Sequence, residues 1–325
     1  MTSERPGLQR VETDLGRAYV LTQLTGPVSP GDRVILNTTA VELGLGTGGW
    51  HVVHWNLSRA TWEEAGPGHI MKLRYTSLQV DTGAAEEAHP DLPTDLGRVP
   101  VVVCGLHSQV PCVAAAALAA RPGARIAYVM TDGAALPLAL SDLVADMVEG
   151  GLLTATITAG HAFGGDLEAV SVLSAMVLAR HVIEADIIVV AMGPGVVGTA
   201  SDLGTTAVEV AAILDAAAAL NGEPIAALRM SDTDGRERHV GVSHHSRTAL
   251  DLVRSRVLVA LPEPGVFEHS RHDLRAVEPP PVAELLADAG LHVTTMGRSP
   301  ADDPAFFAAA AAAGTLAASL LGDDH

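Results

Sequence analysis

The 325-residue chain has only 2 cysteines, Cys104 and Cys112, and both sit in or beside apolar runs. That scarcity argues against a disulfide framework and points to a reducing compartment. Neither CxxC nor HExxH spacing occurs, so the compact zinc motifs are excluded. Lysine is nearly missing, since Lys72 is the only one among 20 basic residues. It is either a chance survivor on a surface strand or a place that needs a compact ammonium, because lysine and arginine differ in shape as well as charge. Positive charge as a whole is outnumbered: 20 Lys and Arg face 38 Asp and Glu, for a formal net charge of −18. Such a field repels phosphate backbones and anionic membrane surfaces, so neither nucleic acid nor a membrane is expected as a partner. No apolar stretch follows the first residues, so no signal peptide is expected and the location is read as cytoplasmic. The longest apolar tract, residues 305–321, is alanine-rich and contains Gly314. It falls short of the roughly 20 strongly apolar residues that span a bilayer. It is expected to be a helix packed on the core or on a second copy of the chain, and a homodimer is the expected assembly, with this helix or the β domain at the contact.

What is present is a large apolar fraction, 48% of residues. With a mean hydropathy of +0.28, it supports a sizeable core without staples. The length suggests two domains. Before residue 95 the apolar runs are short and β-prone (19–23, 33–39, 41–45, 51–56 and 70–75). Glycine and proline turn signals at 26–27, 30–32, 44–49 and 66–68 separate them. This predicts a small all-β, barrel-like domain over 1–95, with a linker at 84–96. From 96 to 325 the pattern alternates. Apolar runs at 99–104, 125–130, 152–158, 186–192, 224–230, 256–261 and 291–295 are separated by helix-like segments at 110–120, 138–148, 167–183, 205–220, 247–253 and 282–289. Runs apolar throughout suit strands buried on both faces of a parallel sheet. The prediction is a doubly wound, mainly parallel, Rossmann-like α/β domain.

Polar residues gather where these strands end: His107, Asp132, His161 with Asp166 and Glu168, the segment Gly193-Pro-Gly-Val-Val-Gly-Thr199, and the run from Arg236 to Ser246. In open α/β sheets ligands bind outside the carboxyl ends of the strands, so these loops are expected to line one cleft. The last run packs three histidines, two arginines and a glutamate into one short stretch. Imidazole is the commonest metal ligand and the one side chain that switches charge near neutral pH. His161, Asp166, His244 and His245 are the candidate metal ligands, with His239 also in reach, and the donor types suit zinc, manganese or iron. Neighbouring histidines on a helix diverge, and Ser243 with His244 and His245 also reads as an N-cap and first helical turn. Asp132, Glu168 and His107 are the candidate acids and bases. Gly193, Gly195, Gly198, Thr199, Arg238 and Lys72 are the candidates for holding an anion. The glycine motif formally fits GxGxxG, but it follows the fourth strand of its domain and carries Pro194. No carboxylate ends a strand about 20 residues on, so NAD is not expected.

Four of these segments (68–75, 160–168, 193–199 and 238–245) together resemble an uncharacterised bacterial family, domain of unknown function 3866. The resemblance covers nearly the whole chain and implies no activity. The family pattern tends to have proline where this chain has Ser77 and histidine where it has Gln109. The leading expectation is a cytoplasmic enzyme that acts on a small anionic metabolite by metal-assisted hydrolysis or group transfer at the carboxyl edge of the sheet. The competing one is a ligand sensor or oligomeric assembly protein without catalysis.

Overall fold

A computed structural model describes residues 1–322 apart from Leu45, Thr47, Ala65 and Pro67. The expected turns at 44–49 and 66–68, and the end of the strand expected over 41–45, fall partly on those positions and to that extent lie outside the described residues.

The N-terminal sheet is built from β1 (Ser3–Arg5), β2 (Leu8–Thr13), β3 (Gly16–Leu21), β4 (Val34–Asn37) and β5 (His51–Asn56). Two single helical turns, α1 (Thr22–Thr25) and α2 (Thr39–Glu42), interrupt it. Alternating side chains put Val11, Ala18, Val20 and Val53 on one buried face. The strand order is β1-β2-β3-β5-β4. All its pairs are antiparallel except β3 with β5. The small all-β unit is therefore present, but β1 and β4 lie at its two edges and no pairing among the described residues closes it into a barrel. The strand expected at 41–45 is replaced by the turn α2, where the Asn37 side chain accepts from the Thr39 amide (3.1 Å) and starts a helical geometry.

A two-stranded ribbon, β6 (Met71–Lys72) with β7 (Val80–Asp81), leads to the larger sheet. There the chain runs β8 (Pro100–Cys104), α3 (Val110–Ala120), β9 (Ile126–Thr131), α4 (Asp142–Glu149), β10 (Ala155–Ala159), β11 (Leu167–Ala169) and α5 (Val172–His181). It continues through β12 (Ile187–Met192), α6 (Glu209–Ala219), β13 (Glu223–Ala227), a ribbon of β14 (Met230–Ser231) and β15 (Gly241–Val242), α7 (His244–Leu252) and β16 (Leu258–Leu261). It ends with β17 (Asp273–Ala276), α8 (Val282–Asp288) and α9 (Pro304–Ser319).

Eight strands pair in the order β11-β10-β9-β12-β8-β13-β16-β17, and every pair is parallel. The central strands β8, β9 and β12 are buried along their whole length, which is why they read as continuous apolar runs. Helices α3, α4, α8 and α9 cover one face, and α5, α6 and α7 cover the other. β12 returns to lie between β9 and β8, so the connections leaving β8 and β12 part to opposite faces. That divergence opens a crevice at the carboxyl ends of β8, β12 and β13.

Two edge elements differ from expectation. Residues 167–183 are not one helix: β11 comes first, paired to β10, and α5 follows after the Ser171 cap. Residues 291–295 form no strand; Leu291 and Val293 are buried, but the segment finds no partner beyond a single bridge from Thr295 to Arg298. The C-terminal tract is the helix α9, and its alanines at 309–313 are fully buried against α3 and the sheet. The two helices approach so closely that a Cβ on Gly314 would lie 2.1 Å from the Val113 carbonyl oxygen. This helix, one of the two faces expected to carry a dimer contact, is thus packed mostly inside the chain. Among the described residues no helix is long and apolar enough to cross a membrane.

Candidate functional site

The crevice end of β13 carries the densest chemistry. β13 stops at Ala227, and Leu228 and Arg229 lead into the β14–β15 ribbon, which returns the chain beside its own exit. The Ser243 amide donates to the Arg229 carbonyl (2.9 Å), and the Arg229 amide donates to the Ser246 hydroxyl (2.9 Å). Ser243 is fully buried and caps α7, its Oγ accepting from the His245 amide (3.3 Å). The same oxygen lies 2.8 Å from Nδ1 of His239. One serine thereby fixes both the ribbon histidine and the start of the helix that carries the other two.

The three rings converge. Centroids are 5.0 Å apart for His239 and His244, 4.9 Å for His239 and His245, and 4.3 Å for His244 and His245. One ring nitrogen from each lies within 4.8 Å of the others. His244 and His245 diverge around the helix, but His239 sits against both from the ribbon. Nε2 of His244 and Nε2 of His245 are buried and have no hydrogen-bond partner. Burial depresses all three rings, with help from nearby guanidinium groups: His239 falls to about 3 and His245 to about 4, and His244 is lowered too, against the opposing pull of Asp202. All three are neutral at pH 7, the state that ligates metal.

Around the rings is an ionic network. Asp234 is buried and faces Arg236 at 2.9 Å, Arg298 at 3.3 Å and Arg229 at 3.5 Å. Asp303 takes Arg298 (3.0 Å) and the Ser231 hydroxyl (2.7 Å). The hydrogen bonds from Arg236, together with the neighbouring charges, hold the Asp234 carboxyl below the usual range, while burial brings the Arg229 guanidinium down to about 10. Arg238 is exposed, has no ion pair or hydrogen bond among the described residues, and lies near enough to depress His244 and His245. Beneath His245 and Arg229 is a cavity of about 20 Å³, room for about one water. A ligand must therefore approach the rings from the loop side.

That side is covered by the β12–α6 loop. Gly198 lies against His245; a Cβ there would be 3.3 Å from its Cε1. The loop closes a small hairpin, with Gly198 bridged to Thr205 and the Thr199 amide donating to the Gly204 carbonyl (2.7 Å). Val197 and Thr199 use their amides within the loop, and Thr199 Oγ1 bonds Ser201, so these groups are not free for an anion. Gly193 is required for another reason: a Cβ would sit 2.3 Å from the Ala135 carbonyl oxygen. Gly195 adopts a left-handed φ of 99°, which favours glycine.

The other candidates lie elsewhere. Asp132 accepts from the His161 amide (3.0 Å), and Nδ1 of His161 accepts from the Leu73 amide (3.0 Å), so these two meet at the ends of β9 and β10. Glu209, at the start of α6, joins them by accepting from Thr131 Oγ1 (2.7 Å). Burial and the charge of Asp132 raise its carboxyl. Asp166 is taken by the Thr156 amide and hydroxyl (both 2.8 Å), and Glu168 by Lys72, Thr158 and Gly164. Burial pushes Glu168 up against the opposing pull of Lys72. His161 and Asp166 therefore do not join His244 and His245, because the loop after β10 turns directly into β11. His107 is buried between the Ser141 hydroxyl (2.8 Å) and the Tyr128 hydroxyl (3.2 Å), under the face covered by α4. Gln109 is fully buried and donates to the Leu228 carbonyl (2.9 Å), which ties the end of β8 to the end of β13.

The position of His107 makes a prediction. Burial pushes it down to about 4, whereas the unfolded chain binds a proton near the ordinary value of about 6.5. The unfolded state therefore binds more protons between these values, and stability falls as pH drops through that window. By pH 4.5 the loss from this residue should be about 2–3 kcal/mol. Urea unfolding of the wild type and His107→Gln at pH 7 and pH 4.5 checks it; equal acid losses in both proteins would remove His107 as the source.

Sequence reasoning missed Arg229, Asp202, Glu209 and the Asp303–Arg298 pair as neighbours of the candidate groups. Arg229 had a visible signal, a lone arginine inside the apolar run 224–230. The family model described as "Protein of unknown function (DUF3866)" matches residues 17–314. No curated protein and no solved structure matches the chain.

Proposed function

The chain belongs to the DUF3866 family, and we propose for it a metal-dependent enzyme whose centre is His239, His244 and His245. The carrying observation is the pair of buried, unpartnered Nε2 atoms on His244 and His245, set beside His239 with one ligand nitrogen from each ring within 4.8 Å. Three neutral imidazoles match the protein donor set of catalytic zinc sites. An ion held there would supply Lewis-acid polarisation or an activated water, and the protein's part would be to hold the substrate against it. Arg238, a cation with no ion pair or hydrogen bond among the described residues, is assigned to an anionic substrate, whose charge offsets the surrounding guanidinium groups. Hydrolysis or group transfer on a small anion is the reaction class this arrangement fits. Asp132 and Glu209, which meet at the end of β9 three strands over from β13, are the acid–base candidates at the carboxyl edge of the sheet.

A second reading follows from one contact. Arg229 Nη1 lies 3.4 Å from Nδ1 of His245. If it donates there, the His245 proton sits on Nε2, which then donates to an anion instead of binding a metal. Titration of metal-free protein with zinc and, separately, with inorganic phosphate distinguishes the two. The enzyme reading expects one zinc per chain, with His245→Ala, which removes a ligand, weakening it more than an outer-shell change would. Phosphate binding without zinc binding would give the site to the anion and sink the metal reading.

A further inference from the structure

We infer that Asp202 is a positioning residue for this centre: its carboxylate orients His244 so that Nε2 faces the ion. The inference rests on the metal reading above. Asp202 Oδ1 lies 3.7 Å from Nδ1 of His244, while the opposite nitrogen of that ring is the buried one without a partner. Histidines that bind metal through one nitrogen commonly donate from the other to a carboxylate, which fixes tautomer and ring angle. The separation exceeds a charge-assisted hydrogen bond by about 1 Å. The gap is small for an exposed hairpin tip to close.

The hairpin is built to present this one side chain. Thr199 Oγ1 lies 2.8 Å from Ser201 Oγ and accepts from the Ser201 amide (3.2 Å), and the Gly204 amide donates to Ser201 Oγ (3.2 Å). A Cβ at Gly204 would sit 2.3 Å from Thr199 Oγ1 and 2.4 Å from Ser201 Oγ, so any side chain there would push aside the hydroxyls that shape the tip. Asp202 itself is 81% exposed and has no other ion-pair or hydrogen-bond partner among the described residues. It therefore carries no evident load in the fold, and its one neighbour is a histidine of the cluster. The opposite end of the same hairpin, Gly198, rests on His245, so one loop touches both helix histidines.

The test is cobalt(II) and zinc titration of the full chain, read by cobalt visible absorption and by competition with a chromophoric chelator. Asp202→Asn is expected to weaken both metals about 10- to 100-fold and to change the cobalt spectrum. Asp202→Glu should recover part of the affinity, and neither variant should shift the melting temperature of metal-free protein. Gly204→Val, which disturbs the tip without touching Asp202, should weaken the metal as well. Wild-type affinity and spectrum in Asp202→Asn would overturn this inference and leave the three-histidine centre standing. Failure of the wild type to bind either metal would overturn the centre and this inference with it.

Discussion

Lys72→Met is expected to lower stability by about 3–5 kcal/mol, the cost of stranding one partner of a buried ion pair. The Lys72 side chain is 2% exposed, and its ammonium has three acceptors: the Ala162 carbonyl at 2.7 Å, the Ala169 carbonyl at 3.2 Å and Glu168 Oε2 at 3.1 Å. An ammonium has three donors, so its capacity is filled inside the protein. This contact pins the β6–β7 ribbon onto the β10–β11 edge of the large sheet. Removing the charge leaves Glu168 half-buried beside its remaining donors, Thr158 and Gly164. Lys72→Arg should also destabilise, because a planar fork does not match three acceptors arranged around a point. Lys72→Met with Glu168→Leu should recover much of the loss, since no uncompensated charge remains. Urea unfolding followed by circular dichroism, with proteolysis of the ribbon as a local readout, measures this. A single variant within 1 kcal/mol of wild type would show that the pair carries little of the docking. The lone lysine is thus placed by shape and charge together, and its donors are not available to a ligand.

Legibility in the sequence followed the physics of burial. Strands β8, β9 and β12 were readable because both of their faces are covered and no polar residue interrupts them. β11 and β17 were not, because edge strands mix polar and apolar residues; Leu-Glu-Ala at 167–169 scans as the start of a helix. Residues 291–295 alternate like a strand and bury Leu291 and Val293, but no local pattern records whether a partner strand exists. The insertion of β12 between β9 and β8 is equally invisible, since strand order comes from long-range packing. The histidine run drew attention by composition, and His239, His244 and His245 do meet. The placement of His161 and Asp166 beside them failed because it assumed that every strand-end loop reaches the same point. Their loop is five residues from returning into β11 as soon as Gly160 and His161 are passed, and its polar groups are taken by Thr156, Leu73 and Asp132.

The network under the histidines should respond as strongly as the lysine. Asp234→Asn is expected to cost about 3–5 kcal/mol, because it removes the carboxylate that faces three arginines while Arg229 stays buried. Arg298 retains Asp303, and Arg236 is partly exposed, so the burden falls on Arg229. The sign with pH is set by the depressed carboxyl of Asp234. Its contribution is present above the unfolded value of about 3.9 and is lost as pH falls below it, so the variant should lack that part of the wild-type acid loss. The same change bears on the site. Asp234 is among the groups that hold His239 up against Arg229 and Arg236, so its loss leaves a more positive field at the rings. Zinc affinity should then fall even at temperatures where Asp234→Asn is fully folded. Adding Arg229→Met should restore both stability and affinity, because it removes the uncompensated cation that caused each loss. Restored stability with zinc affinity still weak would mean that the loss at the centre does not come from the uncompensated charge of Arg229. An Asp234→Asn protein as stable as wild type would show that Arg229 finds its compensation elsewhere, and the network would lose its role in holding the centre.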